Sequence, residues 1–203
     1  LVAFDNPGNG ESDPLLARDA ISTEAYARHL DAGLEALGWR EVEAIGRYSG
    51  GQVAMELAMQ RPGRVRHVVQ AGVMIFDDTE RAELLANYTP SIAPRWDGSH
   101  LVTAWAIVRD MSLFWPWYNR RAEGVIRRDA AIDAASVDLR VQDLLKLGDA
   151  WQQAYGASFR YPMAERLAAL PVPCLLTDYP GAASYPRLAM AAAVAPRCEL
   201  ADI

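Results

Sequence analysis

The 203-residue chain is poor in the residues that build metal sites and disulfide frameworks. It has two cysteines and three histidines, and neither cysteine stands at a metal-ligand spacing. We therefore predict no metal, and we interpret Cys174 and Cys198 as reduced thiols of a cytoplasmic protein.

Positive charge and long apolar runs are also scarce. The net charge of −6 argues against nucleic acid or an anionic membrane as a partner. No apolar run reaches the roughly 20 residues that a bilayer-spanning helix needs, and no signal-peptide pattern is present. These absences favour a globular protein that binds neither nucleic acid nor a membrane.

Phosphate-binding motifs are missing as well. The glycine-rich loop that follows Phe4 contains Pro7-Gly8-Asn9-Gly10, but it does not open directly into a helix. It also lacks the glycine and lysine spacing of dinucleotide and nucleotide loops. We predict no cofactor.

What the chain does have is a strand, a glycine-rich turn and a helix in direct succession. The apolar run 42–45 leads into Gly46-Arg47-Tyr48-Ser49-Gly50-Gly51, and a helical pattern follows over 52–58. This order is typical of a nucleophile elbow, a sharp turn that presents one side chain above a parallel sheet. Glycines flank Tyr48, not Ser49, at two positions on either side.

Strands and helices alternate along the chain, which indicates a parallel sheet covered by helices. The alternation is interrupted by a segment of about 90 residues that is almost wholly helical. We predict strands over 1–4, 42–45, 65–75, 172–177 and 198–203, and helices over 22–37, 52–60, 77–170 (in several pieces) and 185–195.

Three segments resemble the α/β-hydrolase fold family. Residues 2–13 (Val-Ala-Phe-Asp-Asn-Pro-Gly-Asn-Gly-Glu-Ser-Asp) are similar to the strand and loop before that family's elbow, 42–58 to the elbow and its helix, and 61–69 to the next strand. The resemblance implies an α/β fold with a mostly parallel sheet flanked by helices. It implies a core over 1–76 and 169–203, with an all-helical cap inserted at 77–168. Because the chain opens and closes within strand-like runs, we expect a fragment with an incomplete sheet.

The resemblance also implies a function. We expect a hydrolase acting on a small, largely apolar, ester-like or carbonyl-containing substrate. The alternative is a non-catalytic or rewired small-molecule-binding protein that has lost the serine nucleophile. Whether the protein is an enzyme, and its oligomeric state, stay open at this point.

The nucleophile position is the main departure from the family pattern. Tyr48 occupies the position where the family has serine, and a phenol of pKa about 10 is a weak nucleophile near neutral pH. Shifting the turn by one residue places Ser49 at its tip, but then the bulky Arg47 stands where the turn needs a small residue. Tyr48 is interpreted as a nucleophile or as a pocket-lining aromatic. For Ser49, the alternatives are a backbone N–H donor to an oxyanion or a serine that begins the helix.

The remaining catalytic groups are incomplete. The resemblance implies Asp178 as the acid, although it comes about two positions early, with Asp77 or Asp78 as alternatives. No histidine follows His100, so the general base and the first oxyanion loop are expected outside these 203 residues. We expect this chain alone to be inactive.

The cap segment contains the densest aromatic cluster, Phe114-Trp115-Pro116-Trp117-Tyr118. Trp115, Trp117 and Tyr118 are candidates for lining an apolar substrate pocket. The alternative is that they fill the core of a small helical unit.

Overall fold

A computed structural model describes residues 1–13, 21–127 and 131–202. Pro14, at the end of the predicted loop, and Ile203, in the predicted terminal strand, lie outside these ranges. None of the helices in the described ranges has the length and apolar character that a bilayer span requires.

The described elements alternate between strand and helix at both ends of the chain and are helical in between. They are α1 (Thr23–Ala36), β1 (Val42–Arg47), α2 (Ser49–Gln60), β2 (Val65–Ala71), α3 (Asp78–Asn87), α4 (Ser99–Asp110), a 3-10 turn (Ala122–Gly124), α5 (Ala134–Leu147), α6 (Ala150–Arg160), α7 (Met163–Ala169), β3 (Cys174–Asp178), a 3-10 turn (Tyr185–Arg187), α8 (Leu188–Val194) and β4 (Cys198–Asp202).

The four described strands form one sheet in the order β1-β2-β3-β4, and every neighbouring pair is parallel. Parallel strands need a crossover for each connection, and the helices provide these crossovers. The carboxyl ends of the strands therefore share one edge of the sheet. This arrangement confirms the predicted α/β fold class with a parallel sheet flanked by helices.

The main core lies where helices cover the sheet. Helix α2 packs on β1 and β2, and α8 packs on β3 and β4. Full burial of a large aliphatic side chain contributes about 1.5–3 kcal/mol, so this core holds the helices on the sheet. Its most deeply buried large side chains are Met55, Leu57, Val65, Val68, Leu167 and Leu176.

The strand predicted over residues 1–4 is wrong. These residues form no strand and are exposed; Val2 and Phe4 keep about 40% of their surface accessible (38% and 40%). Phe4 instead packs its ring against Gly33 of α1. An extended segment becomes a strand only by hydrogen bonding to a neighbour, and in the described chain β1 pairs only with β2.

One boundary also differs from prediction. The strand predicted over 65–75 ends at Ala71, because Gly72 takes a left-handed φ of 72°. Within the segment 77–170, predicted to be helical in several pieces, one break falls at Gly148 (φ 56°), which ends α5. Left-handed glycines commonly terminate helices.

The segment between β2 and β3 has its own apolar core. In its described residues, α3 to α6 enclose an aromatic cluster around Tyr88, Trp117, Trp151 and Phe159. Its treatment as a separate cap over 77–168 stays a prediction.

Candidate active site

The turn between β1 and α2 holds Tyr48 in a strained backbone conformation. Its φ is 49° and its ψ is −116°, and it is the one non-glycine residue of the described ranges with a positive φ. Such a conformation costs about 1–3 kcal/mol and persists only where surrounding contacts enforce it. Here the Tyr48 N–H donates to the Ala71 carbonyl (2.8 Å), and the Gln70 amide donates to the Tyr48 carbonyl (3.1 Å).

Ser49 lies one residue beyond the tip. It is exposed and begins α2. Among the described residues, no side chain hydrogen bonds to its hydroxyl. The structure therefore places Tyr48, and not Ser49, at the turn, and it gives the Ser49 hydroxyl no activating partner within the described ranges.

The phenol of Tyr48 points across the end of β2. Its Cε1 atom lies only 2.6 Å from where a Cβ on Gly72 would stand. The absence of a side chain at Gly72 therefore lets the ring pass over β2 towards β3. A residue with a side chain at position 72 would block this path.

A buried carboxylate and a buried serine lie at the end of that path. Asp178 is the last residue of β3 and is 2% exposed, and Ser184 is fully buried. The Ser184 hydroxyl hydrogen bonds to Asp178 Oδ2 and lies 3.4 Å from the Tyr48 hydroxyl. Asp178 Oδ1 accepts from the Tyr179 N–H (2.9 Å).

The structure thus brings Tyr48 and Asp178 together through Ser184, which sequence reasoning missed. Ser184 stands in an irregular stretch six residues beyond Asp178, and no spacing motif marks it. The only usable signal is topological: loops after parallel strands gather at the same edge of the sheet.

Arg47 lies on the solvent side of Tyr48. Its guanidinium carbon is 5.1 Å from the centre of the Tyr48 ring and 5.8 Å from that of Tyr179. Partial burial lowers the Arg47 pKa, but interactions with the Tyr48 and Tyr179 hydroxyls raise it by more, so the net pKa is raised. A cation therefore stands beside the tip of the elbow.

The alternative acids have other partners. The Asp77 side chain caps α3 by accepting from the Glu80 N–H (2.8 Å), and Asp78 pairs with Arg81 (2.7 Å). Both aspartates are exposed. These contacts account for both aspartates as residues that stabilise the start of α3.

The three histidines contact groups away from the elbow. His29 hydrogen bonds to the Ala25 carbonyl of its own helix, and His100 accepts from the Arg95 N–H. His67 is 3.4 Å from Glu43, near the amino end of β2 and so at the opposite edge of the sheet from Tyr48. Within the described residues, no histidine hydrogen bonds to Tyr48, and no group of three metal-ligating side chains is formed.

The three aromatic candidates of the predicted cap lie in or against a packed cluster. The Trp117 indole N–H donates to the Tyr88 carbonyl (2.8 Å), and Tyr118 donates to Glu83 (2.9 Å). Trp115 stacks on Phe76 with 6.5 Å between ring centres. Trp117 is buried, whereas Trp115 and Tyr118 are half-buried.

Tyr88 lies at the centre of this cluster, where its ring packs against those of Trp115, Tyr155 and Phe159. Burial raises its pKa well above the usual value, and the phenols of Tyr155, Tyr118 and Tyr48 add to that increase.

A large cavity lies elsewhere. Its volume is about 1170 Å³, and its walls come from residues 1–7, helices α1 and α2 and strands β1 and β2. Gly50 lines it, but Tyr48, Ser49 and Asp178 do not. The cavity is therefore separate from the cluster of Tyr48, Ser184 and Asp178.

Comparison with known proteins gives the family. A family model described as alpha/beta hydrolase fold matches residues 1–172. A 2-hydroxymuconate semialdehyde hydrolase from Pseudomonas putida is 34% identical over 95 residues, which are 46% of this chain and 34% of that protein. A 2-hydroxy-6-oxononadienedioate/2-hydroxy-6-oxononatrienedioate hydrolase from Dechloromonas aromatica (strain RCB) is 36% identical over 72 residues, 36% of this chain and 25% of that protein.

Solved structures agree on the fold. Epoxide Hydrolase A from Mycobacterium thermoresistibile superposes with a TM-score of 0.67 at 20% identity, covering 98% of this chain and 73% of that one. The enol-lactonase from Burkholderia xenovorans LB400 gives 0.65 at 14% identity, covering 98% and 70%. The chain spans about a quarter to a third of the length of the curated relatives that it matches. With the parallel sheet, the turn at Tyr48 and the family match over residues 1–172, the chain belongs to the α/β-hydrolase fold family.

Proposed function

We propose that the protein is a hydrolase for a small, largely apolar, ester-like or carbonyl-containing compound held over Tyr48. The observation that carries this proposal is the left-handed conformation of Tyr48 at the end of β1. A strained backbone conformation is commonly retained at a residue whose side chain takes part in binding or catalysis. In this fold, the residue at the tip of the turn is the one that attacks the substrate.

The substrate class is supported by two observations. The rings of Trp115 and Tyr118 are half-buried in the apolar cluster and suit an apolar ligand, and Trp117 packs edge-on against Tyr118. The curated relatives act, by their names, on a semialdehyde and on oxo compounds, all of which contain a carbonyl group.

Each site residue has a proposed role. Tyr48 contacts the substrate at its carbonyl, and the Ser49 backbone N–H faces the developing oxyanion from the start of α2. Asp178 provides the buried negative charge behind Tyr48. We also place the protein in the cytoplasm, since Cys174 and Cys198 are free thiols, with a small molecule and not nucleic acid as its partner.

One observation favours a second function, that of a non-catalytic or rewired small-molecule-binding protein. In the described residues the Tyr48 hydroxyl approaches Ser184 and has no histidine beside it. A phenol without a general base is a weak nucleophile, whereas it serves well as a hydrogen-bonding group towards a ligand.

The test is a screen of p-nitrophenyl esters of increasing chain length against the full-length natural protein that contains this chain. We expect turnover by the wild type and a fall of about tenfold or more in Tyr48→Phe. Ser49→Ala keeps the backbone N–H and is expected to stay within about twofold of the wild type.

Two outcomes contradict this reading. Loss of turnover in Ser49→Ala alone would make the Ser49 hydroxyl the nucleophile. Absence of turnover in the wild type, together with an increase in melting temperature on adding an ester or ketone, would establish the binding function instead.

A further inference from the structure

Ser184 has no exposed surface, yet its hydroxyl lies between two functional groups. On one side it hydrogen bonds to Asp178, and on the other it faces the Tyr48 hydroxyl at 3.4 Å. Because the serine is fully buried between a phenol and a carboxylate, few arrangements of protons satisfy the hydrogen bonding of all three groups.

The chemistry of the three groups fixes the direction of the hydrogen bonds. A carboxylate only accepts, and a serine hydroxyl has a single proton to give. The Ser184 proton therefore goes to Asp178, and the oxygen of Ser184 is left to accept from the Tyr48 O–H. Tyr48 is then a donor towards the protein interior, and its oxygen lone pairs face outwards.

The rest of the site maintains this arrangement. Gly72 leaves the gap through which the Tyr48 ring reaches Ser184, and the Tyr179 N–H holds the second oxygen of Asp178. The Arg47 guanidinium lies over the face of the ring, 5.1 Å from its centre. The phenol is thus held by Ser184 at its hydroxyl and by a cation over its ring.

We propose that Ser184 is a positioning residue, which with Asp178 fixes the Tyr48 phenol so that its oxygen accepts a hydrogen bond from the ligand. The ligand class that fits is a carbonyl or ester compound that also carries a hydroxyl or another donor near the carbonyl. This inference rests on the proposed function for the identity of the ligand, but the contact between Ser184 and Tyr48 can be tested without any activity.

The contact is tested by a double-mutant cycle in thermal unfolding. The four proteins are the wild type, Tyr48→Phe, Ser184→Ala and the double variant. We expect both single variants to melt at lower temperature, and the double variant to melt close to Ser184→Ala, because the same hydrogen bond is lost once. Shifts that simply add would overturn the proposal.

A matched control uses Tyr161, whose hydroxyl donates to Glu56 and not to Ser184. Tyr161→Phe combined with Ser184→Ala should give additive shifts. If Ser184→Ala does not fold, the same cycle is run with Asp178→Asn, which keeps the size of the side chain but removes its charge. Additivity with Tyr48→Phe there would equally overturn the proposal.

A functional readout separates positioning from mere stability. On a hydroxyl-bearing ester we expect Ser184→Ala to lower kcat about tenfold with KM changed less than about threefold, and Ser184→Thr, which keeps the hydroxyl, to restore most of it. On the matched ester without the hydroxyl the loss should be smaller. Equal losses on both esters, or no recovery with threonine, would reject the ligand class. If no variant and no wild type turns over any ester, the hydrolase function fails, while the cycle still decides the contact.

Discussion

At the scale of single residues, three glycines hold the Tyr48 turn through three different contacts. A Cβ on Gly46 would overlap the backbone of Gly50 and Gly51, and a Cβ on Gly51 would overlap the Gln70 amide. Gly72 makes room for the Tyr48 ring. By contrast, no atom of the described residues lies within 4 Å of a Cβ on Gly50, although Gly50 completes the glycine pattern around Tyr48.

These contacts predict opposite results for two alanine substitutions in the same turn. Gly46→Ala forces backbone apart and is expected to cost about 3 kcal/mol or more of unfolding free energy, or to prevent folding. Gly50→Ala adds a methyl group in open space within a helix and should be neutral or stabilising by up to about 1 kcal/mol. Urea unfolding measures both.

A Gly50→Ala variant that is as unstable as Gly46→Ala would mean that the turn is built differently from the geometry described above.

At the scale of elements, two adjacent carboxylates at the start of helix α3 contribute unequally to its stability. Asp77 accepts from the Glu80 N–H at the start of the helix, which satisfies a backbone donor that has no partner within the helix. The neighbouring Asp78 has a fully exposed side chain (99%) and, among the described residues, pairs only with Arg81.

Removal of the cap is expected to destabilise more than removal of the ion pair. Asp77→Ala should cost about 1 kcal/mol, whereas Asp78→Ala should change stability by less than about 0.5 kcal/mol. Asp77→Asn keeps the accepting oxygen and should recover most of the loss. Neither alanine variant should change kcat in an active full-length protein, and a large loss of kcat in Asp77→Ala would instead make Asp77 the acid of the site.

The neighbouring strands β3 and β4 place the two cysteines side by side. Cys174 and Cys198 are direct register partners, with Cys174 buried and Cys198 half-buried. A hydrogen bond from the Cys174 thiol lowers the Cys198 pKa against the effect of burial. The same bond and burial raise the Cys174 pKa.

Cys198 is therefore expected to react with iodoacetamide well before Cys174. In Cys174→Ala the stabilising donor is lost, so the Cys198 pKa rises and its alkylation rate at pH 7.5 should fall by about threefold or more. The difference between the two rates should shrink as the pH rises, because the Cys198 thiol then ionises in the variant as well. Mass spectrometry of timed samples measures this, and faster labelling of Cys174 would contradict it.

At the scale of the whole molecule, buried phenols link stability to alkaline pH. Burial raises the pKa values of Tyr88, Tyr155 and Tyr161, and for Tyr161 the charge of Glu56 adds to the increase. Tyr88 and Tyr155 belong to the helical cluster and Tyr161 to the core under the sheet. Both cores are therefore expected to lose stability at alkaline pH.

The direction in which stability changes with pH depends on whether the folded or the unfolded state keeps its phenol protons. The unfolded chain loses phenol protons near pH 10, whereas the folded protein holds them. The stabilisation is thus fully present below about pH 10 and is lost as the pH rises above it, by about 1.4 kcal/mol per pH unit for each retained proton. We expect tyrosinate absorbance at 295 nm to increase cooperatively with loss of the circular dichroism signal.

Tyr155→Phe provides the control, since it removes one of these protons. Its stability should fall less steeply above pH 10, by about 1.4 kcal/mol per pH unit relative to the wild type. Gradual ionisation of all the tyrosines near pH 10, with the fold intact, would contradict this account.

The outer edge of β1 is a further feature of the whole molecule. In the described chain this edge is unpaired, Ile45 is 73% exposed there, and the cavity of about 1170 Å³ runs beside it. Unpaired apolar strand edges promote association with other chains. The chain by itself is expected to aggregate more readily than a protein in which this edge is covered.

Local sequence signals determined the elements whose physical causes are themselves local. The apolar run before Gly46 and the glycines around Tyr48 determined a strand and a turn. The helix predicted to begin at residue 22 has Ser22 as its cap, accepting from the Ala25 N–H. The order of these elements was enough to determine the parallel α/β fold, because short alternating connections leave few other arrangements.

Only the tertiary structure decided what depends on residues far apart in the chain. Residues 1–4 have the composition of a strand but form none, because pairing requires a neighbour that composition does not show. Ser184 joins Tyr48 to Asp178 because three parallel strands end at one edge and Gly72 leaves the ring a path between them. The backbone conformation of the Tyr48 turn is thus determined by the glycines around it, whereas the partners of the Tyr48 phenol are determined by tertiary packing.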